Sequence, residues 1–276
     1  ENNINNNWYT STMATWCLQY TIESLAHATD AIIKKTAFDA GTEVKQWQHI
    51  IDNMYYPEDA ERGIFLQQDG YLDKEQILVK DLDPAQRPLN QKWSWDRILR
   101  SCFIKQADVL QGIYFLEDRF DMDTLRRNFD FYEPRTVHES SLSPCIHAIL
   151  AAKLGDGERA YEFYLRTSRL DLDDYNNDTE DGLHITSMAG TWMSVVEGFA
   201  GMRVRDGQLQ FTPFLPGKWQ SFAFSIRFRT NILKVEINEH RVVIENKEGG
   251  DVTVKVYDDT YMVKAGTVVQ LNNRNK

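Results

Sequence analysis

Cysteine is scarce in this sequence. Cys17, Cys102 and Cys145 are the only three, an odd number at wide spacings. A small secreted domain that depends on disulfides carries a denser, even set, so the count favours a reducing compartment and a cytoplasmic location. The three positions also lack the close spacing of zinc ligands, so we expect no metal centre.

Long apolar runs and excess positive charge are missing as well. No apolar run approaches the roughly 20 residues of a membrane-spanning helix, and the first residues do not resemble a secretory leader. A net charge of -10, from 31 basic and 41 acidic residues, offers no basic face to a nucleic-acid backbone. We therefore expect neither a membrane nor a nucleic acid as partner. The 276 residues, 42% of them hydrophobic, can build one large domain or two.

Helical periodicity dominates the chain before residue 205. Apolar residues recur there at three- and four-residue steps, which is typical of amphipathic helices. The predicted helices cover 11–25, 42–56, 93–116, 123–129, 144–154, 157–170 and 185–199. Between 63 and 80 the pattern changes to short alternating runs around Gly70, which predicts a loop with a short strand or hairpin.

The pattern changes again after Gly207. Apolar and polar residues alternate there in short runs separated by Asn, Gly and Asp, which predicts an antiparallel sheet domain of about seven strands. Helices followed by strands indicate two layers or two domains and exclude a parallel α/β sheet. The predicted domains are a mainly α domain at 1–205 and a β domain at 206–276.

Three polar segments are candidates for function. Residues 131–144 lie between two predicted helices. Between the two prolines they bring together a cation, an imidazole, a carboxylate and serine hydroxyls, a set suited to an oxyanion and a sugar: Arg135, His138, Glu139, Ser140, Ser141 and Ser143. Residues 171–182 form a long acidic loop; its carboxylates could line a sugar site, bind calcium or simply face solvent, although their spacing does not match an EF-hand. Residues 1–10 are rich in Asn and begin without Met, which suggests entry in mid-domain, with a frayed tail as the alternative.

Helical pairs with polar loops at one end suggest an α/α barrel, and four motifs strengthen this interpretation. They are NNNWYT (5–10), KQADV (105–109), YEPRTVHESSLS (132–143) and GLHITSMAGTW (182–192). In this order they resemble the C-terminal part of glycoside hydrolase family 65, which contains the maltose, kojibiose, nigerose and trehalose phosphorylases. The resemblance covers essentially the whole chain. It implies the second part of an (α/α)6 barrel followed by a small antiparallel β-sandwich domain.

The resemblance also implies a reaction. Such an enzyme cleaves an α-glucosidic bond with inversion: one carboxylic acid protonates the leaving oxygen, and inorganic phosphate attacks the anomeric carbon from the opposite face. Phosphate is already an anion at neutral pH, so no catalytic base is needed, and phosphate is a co-substrate with no further cofactor implied. The products would be β-glucose 1-phosphate and glucose, with maltose as the best guess for the disaccharide.

The resemblance also implies which residues form the site, one motif at a time. Lys105 and Gln106 match the pair that contacts the glucose unit, although without the motif they would be taken as a solvated helix face. Ser140, Ser141 and His184 match the phosphate-contacting residues. The general acid is expected just upstream of Glu1; Glu1 itself is the nearest carboxylate and the weaker candidate.

Several alternatives stay open from the sequence. A hydrolase of trehalose or another α-glucoside within the same family is one, and a non-catalytic carbohydrate-binding fragment is another. Trp8, Trp93, Trp95 and Trp192 could stack on a sugar, but core packing is the default for each. The expected partners are the N-terminal remainder of the same protein and a second copy in a homodimer.

Overall fold

The computed structural model describes residues 4–29 and 39–274. By backbone proximity the chain divides into two compact units, Glu1–Val137 and His138–Lys276. The division predicted from the change of pattern, at residues 205 and 206, falls inside the second unit and stays a prediction. Within the described residues, no helix combines the length and the apolar character that crossing a bilayer requires.

The described part of the first unit consists of helices, one small hairpin and irregular connections. Its described helices are α1 (Trp8–Leu25), α2 (Ala40–Asp52), α3 (Leu89–Lys92), α4 (Trp95–Arg100), α5 (Val109–Phe115) and α6 (Met122–Tyr132). Strands β1 (Glu58–Asp59) and β2 (Ile64–Phe65) pair antiparallel, which confirms that the 63–80 region starts with a short strand.

The Asn-rich start of the chain is ordered where the structure describes it. Asn7 caps α1 by accepting a hydrogen bond from the Thr10 amide at 2.8 Å, as short polar side chains do at helix N-termini. The Asn5 carbonyl accepts from the Asp69 amide at 3.2 Å. The frayed-tail alternative is therefore wrong for these residues, while Glu1 lies outside the described residues.

Trp8, the first residue of α1, belongs to the core. Its ring stacks on Phe65 with centroids 4.6 Å apart. A Cβ added at Gly112 on α5 would lie 2.6 Å from the Trp8 ring, so only glycine allows the two helices to approach this closely. Core packing, the default reading for Trp8, is confirmed.

The predicted helix over 93–116 is wrong. α4 is capped by Ser94 and ends at Arg100, and the chain runs irregularly until α5 begins at Val109. In between, the Ile104 amide donates to the Arg135 carbonyl at 3.0 Å and the Ile104 carbonyl accepts from the Val137 amide at 2.9 Å. Pairing with a distant segment has overridden the local helical pattern.

The second unit opens with three helices and a π-helical turn. They are α7 (Ser143–Lys153), α8 (Gly157–Ser168), α9 (Ile185–Met193) and the π-helix Ser194–Phe199. Every residue of α7 from Ser143 to Ala151 is buried, which explains why its sequence is apolar almost all round. The helix predicted over 185–199 is present, but its last turn is π-helical.

Within the described residues, two four-stranded sheets follow. The strands are β3 (Arg203–Arg205), β4 (Gln208–Phe211), β5 (Ser221–Phe228), β6 (Asn231–Asn238), β7 (Arg241–Glu248), β8 (Val252–Val256), β9 (Asp259–Val263) and β10 (Val268–Asn272). One sheet has the order β10-β7-β6-β5 and the other β3-β4-β8-β9. Alternate side chains point into a shared core, among them Leu233, Val235 and Ile237 of β6.

The prediction of an antiparallel sandwich needs one correction. All strand pairs of the two sheets are antiparallel except β4 and β8, which run parallel with Leu209 opposite Val254. Alternation of polar and apolar residues marks a strand and its buried face, but it carries no information on the direction of the neighbouring strand.

Aromatic packing joins the helices of the second unit to its sheets. Phe199 is fully buried at the end of the π-helix. Its ring centroid lies 5.4 Å from that of Phe214, 5.3 Å from that of Trp219 and 5.4 Å from that of Tyr164 on α8. The Phe214 amide also donates to the Phe199 carbonyl at 2.9 Å. Helical and β segments thus share a core around this one side chain.

Candidate functional site

The serine loop, residues 138–142, leads directly into α7. Ser140 is 7% exposed, and its hydroxyl oxygen accepts a hydrogen bond from the Leu142 amide at 3.2 Å. That contact uses an oxygen lone pair and leaves the hydroxyl hydrogen for another acceptor. Pro144 lies in the first turn of α7, where its missing N–H costs no hydrogen bond, as its position in the sequence suggests.

Ser141 reaches the first turn of α9. Its hydroxyl lies 2.6 Å from the Thr186 hydroxyl, a hydrogen-bonding distance. Within such a pair one hydroxyl donates to the other, so one of the two hydrogens remains to be donated elsewhere. The serine loop is therefore held to the start of α9 through Ser141.

His184 occupies the N-cap position of α9 and is held by the acidic loop. Its backbone amide donates to Asp171 Oδ2 at 2.9 Å, and its ring Nδ1 lies 2.6 Å from Asp171 Oδ1. The other ring nitrogen, Nε2, lies 3.4 Å from Asp178 Oδ2. Part of the acidic loop thus orients the imidazole, a role that was not among the alternatives drawn from the sequence.

The electrostatics of this site favour a charged imidazole. The hydrogen bond to Asp171 raises the pKa of His184 above its ordinary value; partial burial opposes the rise and the charge of Asp178 adds to it. The His184 side chain keeps 23% of its surface exposed, so an anion from solvent can reach it. An imidazole with a raised pKa, at the positive end of a helix whose first turn also carries the Ser141–Thr186 hydroxyl pair, is an arrangement suited to an oxyanion.

Replacing Asp171 with asparagine should lower the pKa of His184. Because folding raises that pKa, the charged ring stabilises the fold fully below the unfolded value of about 6.5, and this contribution is lost as the pH rises through the folded pKa. In Asp171→Asn the loss, and any phosphate affinity that depends on the cation, should move to lower pH. Titration of the His184 ring by NMR measures the change.

Asp173→Asn is the matched control for this experiment. It removes one negative charge from the same loop, but Asp173 pairs with Arg169 at 2.6 Å. The pKa of His184 should stay close to that of the unchanged protein. An equal fall in both variants would show that the net charge of the loop sets the pKa and that the contact with Asp171 does not.

Lys105 and Gln106 belong to the first unit. Both side chains are exposed, and they lie in the irregular segment before α5, so the expected helix face is wrong for them. The segment ends at Asp108, whose φ of 41° is unusual for a residue with a side chain. Asp108 Oδ2 accepts from Gln67 Nε2 at 2.5 Å and from Asn7 Nδ2 at 3.4 Å.

Three residues that contact the predicted site residues or Asp108 were not predicted from the sequence. Gln67 lies in a region interpreted only as loop or hairpin, so no signal pointed to it. Asp171 was one of many carboxylates in the acidic loop. Thr186 lies two positions after His184 in the motif GLHITSMAGTW, and the helical spacing from the N-cap could have identified it.

The tryptophans divide into two groups. Trp93 packs against Phe103 and lies under the Arg97 guanidinium, 3.7 Å from the ring centroid, so its default reading of core packing holds. Trp95 and Trp192 are 65% and 48% exposed, and core packing is wrong for these two. In the described part of the chain, no group of three or more His, Cys, Asp or Glu side chains has the geometry of a metal site.

Comparison with known families gives the class of the protein. The profile described as "Glycosyl hydrolase family 65 central catalytic domain" matches residues 1–193, and that described as "Glycosyl hydrolase family 65, C-terminal domain" matches residues 202–263. The chain belongs to glycosyl hydrolase family 65. Its fold is accordingly the C-terminal part of an (α/α)6 barrel followed by the family's β domain.

Individual relatives refine this picture. The chain is 53% identical over 265 residues to maltose phosphorylase of Bacillus subtilis, which covers 96% of the chain and 35% of that protein. It is 36% identical to alpha,alpha-trehalose phosphorylase of Thermoanaerobacter brockii, covering 96% of the chain and 35% of the relative. With kojibiose phosphorylase of Halothermothrix orenii it shares 34% identity over 98% of the chain and 35% of the relative.

A solved structure agrees with the fold. A putative kojibiose phosphorylase from the human microbiome superposes with a TM-score of 0.89 at 35% identity, over 98% of this chain and 37% of that chain. The chain therefore spans about a third of the length of the relatives it matches.

Proposed function

We propose that the complete protein containing this chain is an inverting α-glucosyl disaccharide phosphorylase, with maltose as its disaccharide. The observation that carries the proposal is the arrangement of His184, Ser141 and Thr186 at the first turn of α9. A cation and a hydroxyl pair at a helix N-terminus suit a phosphate co-substrate better than a neutral water molecule. The names of the relatives support the reaction class.

The proposed step needs one acid and one bound anion. The acid donates a proton to the glycosidic oxygen as the bond to the anomeric carbon breaks, and a phosphate oxygen forms the new bond from the opposite face. The oxygen leaves with its new proton as a sugar hydroxyl, and the phosphate becomes the ester. Ser140, Ser141 and His184 hold and orient the phosphate, which substitutes for the general base of a hydrolase.

Phosphate binding requires a change beside His184. Asp178 Oδ2 lies 3.4 Å from Nε2, on the ring edge where a phosphate oxygen would accept a hydrogen bond. We propose that phosphate replaces Asp178 at this edge while Asp171 keeps its contact with Nδ1. The cationic ring then gains a more highly charged partner, since phosphate is a mono- or dianion near pH 7.

The remaining roles come from the family resemblance. Lys105 and Gln106 are proposed to hold the hydroxyls of the glucose unit; their exposed side chains are consistent with contact to a ligand. The general acid is proposed to come from the region that precedes this chain in its longer relatives. The choice of maltose rests on the 53% identity to maltose phosphorylase, against 36% and 34% for the trehalose and kojibiose enzymes.

That upstream region is also the proposed partner of an exposed apolar surface. Leu183, Ile185, Met188 and Trp192 are between 48% and 68% exposed, and the last three share one side of α9 at helical spacing. The chain belongs to only part of an (α/α)6 barrel, and the missing helices are the natural cover for this surface. A homodimer and a cytoplasmic location remain predictions.

The test is phosphate-dependent cleavage by the complete protein. Maltose, kojibiose, nigerose and trehalose are each incubated with and without inorganic phosphate, and glucose 1-phosphate and glucose are assayed. The proposal expects glucose 1-phosphate from maltose only when phosphate is present. Glucose release at the same rate without phosphate would assign a hydrolase, and absence of cleavage of all four, with sugar binding retained, would assign a binding role.

A further inference from the structure

The serine loop begins at a residue that the proposed reaction does not use directly. We propose that His138 is a positioning residue, whose backbone turn and imidazole together place Ser140 and Ser141 for phosphate. The inference rests on the proposed function, because it assigns a role within the same phosphate site.

The backbone of His138 is in the left-handed region, with a φ of 54°. This conformation is uncommon for residues with a side chain, although Asn, Asp and His adopt it more readily than others. It persists where the surroundings hold it, and such positions are concentrated at functional sites. The left-handed turn at His138 lies two residues before Ser140 and three before Ser141. It therefore sets the direction of the rest of the serine loop.

The His138 imidazole is anchored to the start of α7. Its Nδ1 lies 3.2 Å from the Ser143 hydroxyl. Ser143 is fully buried, and its carbonyl accepts a hydrogen bond from His147 Nδ1 at 2.9 Å, one helical turn further on. Since a carbonyl can only accept, His147 Nδ1 carries a proton, and the Ser143 hydroxyl hydrogen is available for His138 Nδ1.

Further contacts from α7 and α8 hold His138 in place. The ring of His138 meets that of His147 edge to face with centroids 4.5 Å apart, and its centroid lies 4.9 Å from that of Phe163. The Arg166 guanidinium donates to the His138 carbonyl at 3.1 Å. Ring and backbone are therefore held independently, which is what a fixed left-handed residue requires.

The position of His138 affects the contact between the serine loop and α9. Ser141 meets Thr186 at 2.6 Å, a distance that has little tolerance for movement of the loop. A displacement of about 1 Å in a positioned group can reduce catalysis by about 100-fold. We therefore expect loss of the His138 ring to affect phosphate more than disaccharide.

The test compares His138→Ala with His138→Asn in the complete protein. Asparagine tolerates the left-handed turn and can place an amide near the Ser143 hydroxyl, whereas alanine provides neither. We expect His138→Ala to raise KM for inorganic phosphate about tenfold and to change KM for the disaccharide by less than about twofold, as for a contact that serves one substrate. His138→Asn should recover most of the phosphate affinity.

Val263→Ala is the control for simple loss of stability. Val263 is fully buried in β9, on an element that contributes nothing to the serine loop, so this variant should lower Tm without moving KM for phosphate. If His138→Ala lowers Tm but leaves KM for phosphate unchanged, or raises both KM values equally, the positioning role is wrong. A parent protein that neither binds nor uses inorganic phosphate in calorimetry and kinetics would instead overturn the proposed function.

Discussion

Replacing His184 with alanine is expected to weaken phosphate by roughly 10- to 100-fold. Hydrogen bonds to a charged partner contribute about 1.5–3 kcal/mol, and each 1.4 kcal/mol corresponds to about tenfold in affinity. The ring is held in place by Asp171 and its pKa is raised by that contact, so the variant removes both a donor and a positive charge. The measurement is KM for phosphate and for maltose in the complete protein.

KM for the disaccharide is the internal reference for the change in KM for phosphate. KM for maltose should change by less than about threefold, because the imidazole is proposed to contact phosphate alone. His240→Ala is the matched control: this histidine lies at the β6–β7 turn with 72% of its side chain exposed, and its removal should leave both constants unaltered. An equal loss for both substrates in His184→Ala would assign the ring to the fold of the α9 start.

Phe199→Ala should destabilise the second unit by about 3–5 kcal/mol, the usual cost of truncating a buried aromatic side chain. Phe199 is completely buried and packs against aromatic rings of Tyr164 on α8, Phe214 in the connection between β4 and β5, and Phe222 on β5. The cavity would thus open between helices and strands at once. Urea unfolding, followed by tryptophan fluorescence, gives the change in free energy.

Met262→Ala is the control for this prediction. Met262 lies on β9 with 60% of its surface exposed, and its truncation should cost less than about 0.5 kcal/mol. Comparable effects of the two substitutions would mean that Phe199 is not the centre of a common core. In that case the β segments would unfold independently of the helices.

Sequence patterns were sufficient where local signals mark the ends of an element or its buried face. α7 and α8 begin and end within two residues of the predicted bounds, because apolar spacing and the glycines at 155 and 157 mark them. The alternating strands after Gly207 were predicted for the same reason, and the buried residues of β6 and β8 follow the alternation. The motif around His184 correctly placed that residue at a helix start.

The failures have a common physical origin in long-range contacts. The segment before α5 leaves the helical pattern because Ile104 pairs with residues some thirty positions away, at 135 and 137. The parallel pairing of β4 with β8 depends on how the chain returns after three intervening strands. Asp171 was indistinguishable from its acidic neighbours until its distance to His184 was known. None of these contacts leaves a local trace in the sequence.

Phosphate, held by His184 and the serine loop, is the proposed nucleophile in a reaction that inverts the anomeric centre. Proton NMR of the first-formed product from maltose and inorganic phosphate, catalysed by the complete protein, tests it directly. We expect β-glucose 1-phosphate, formed at a rate that falls to background when phosphate is omitted. Formation of α-glucose 1-phosphate, or of glucose at a rate indifferent to phosphate, would contradict the claim.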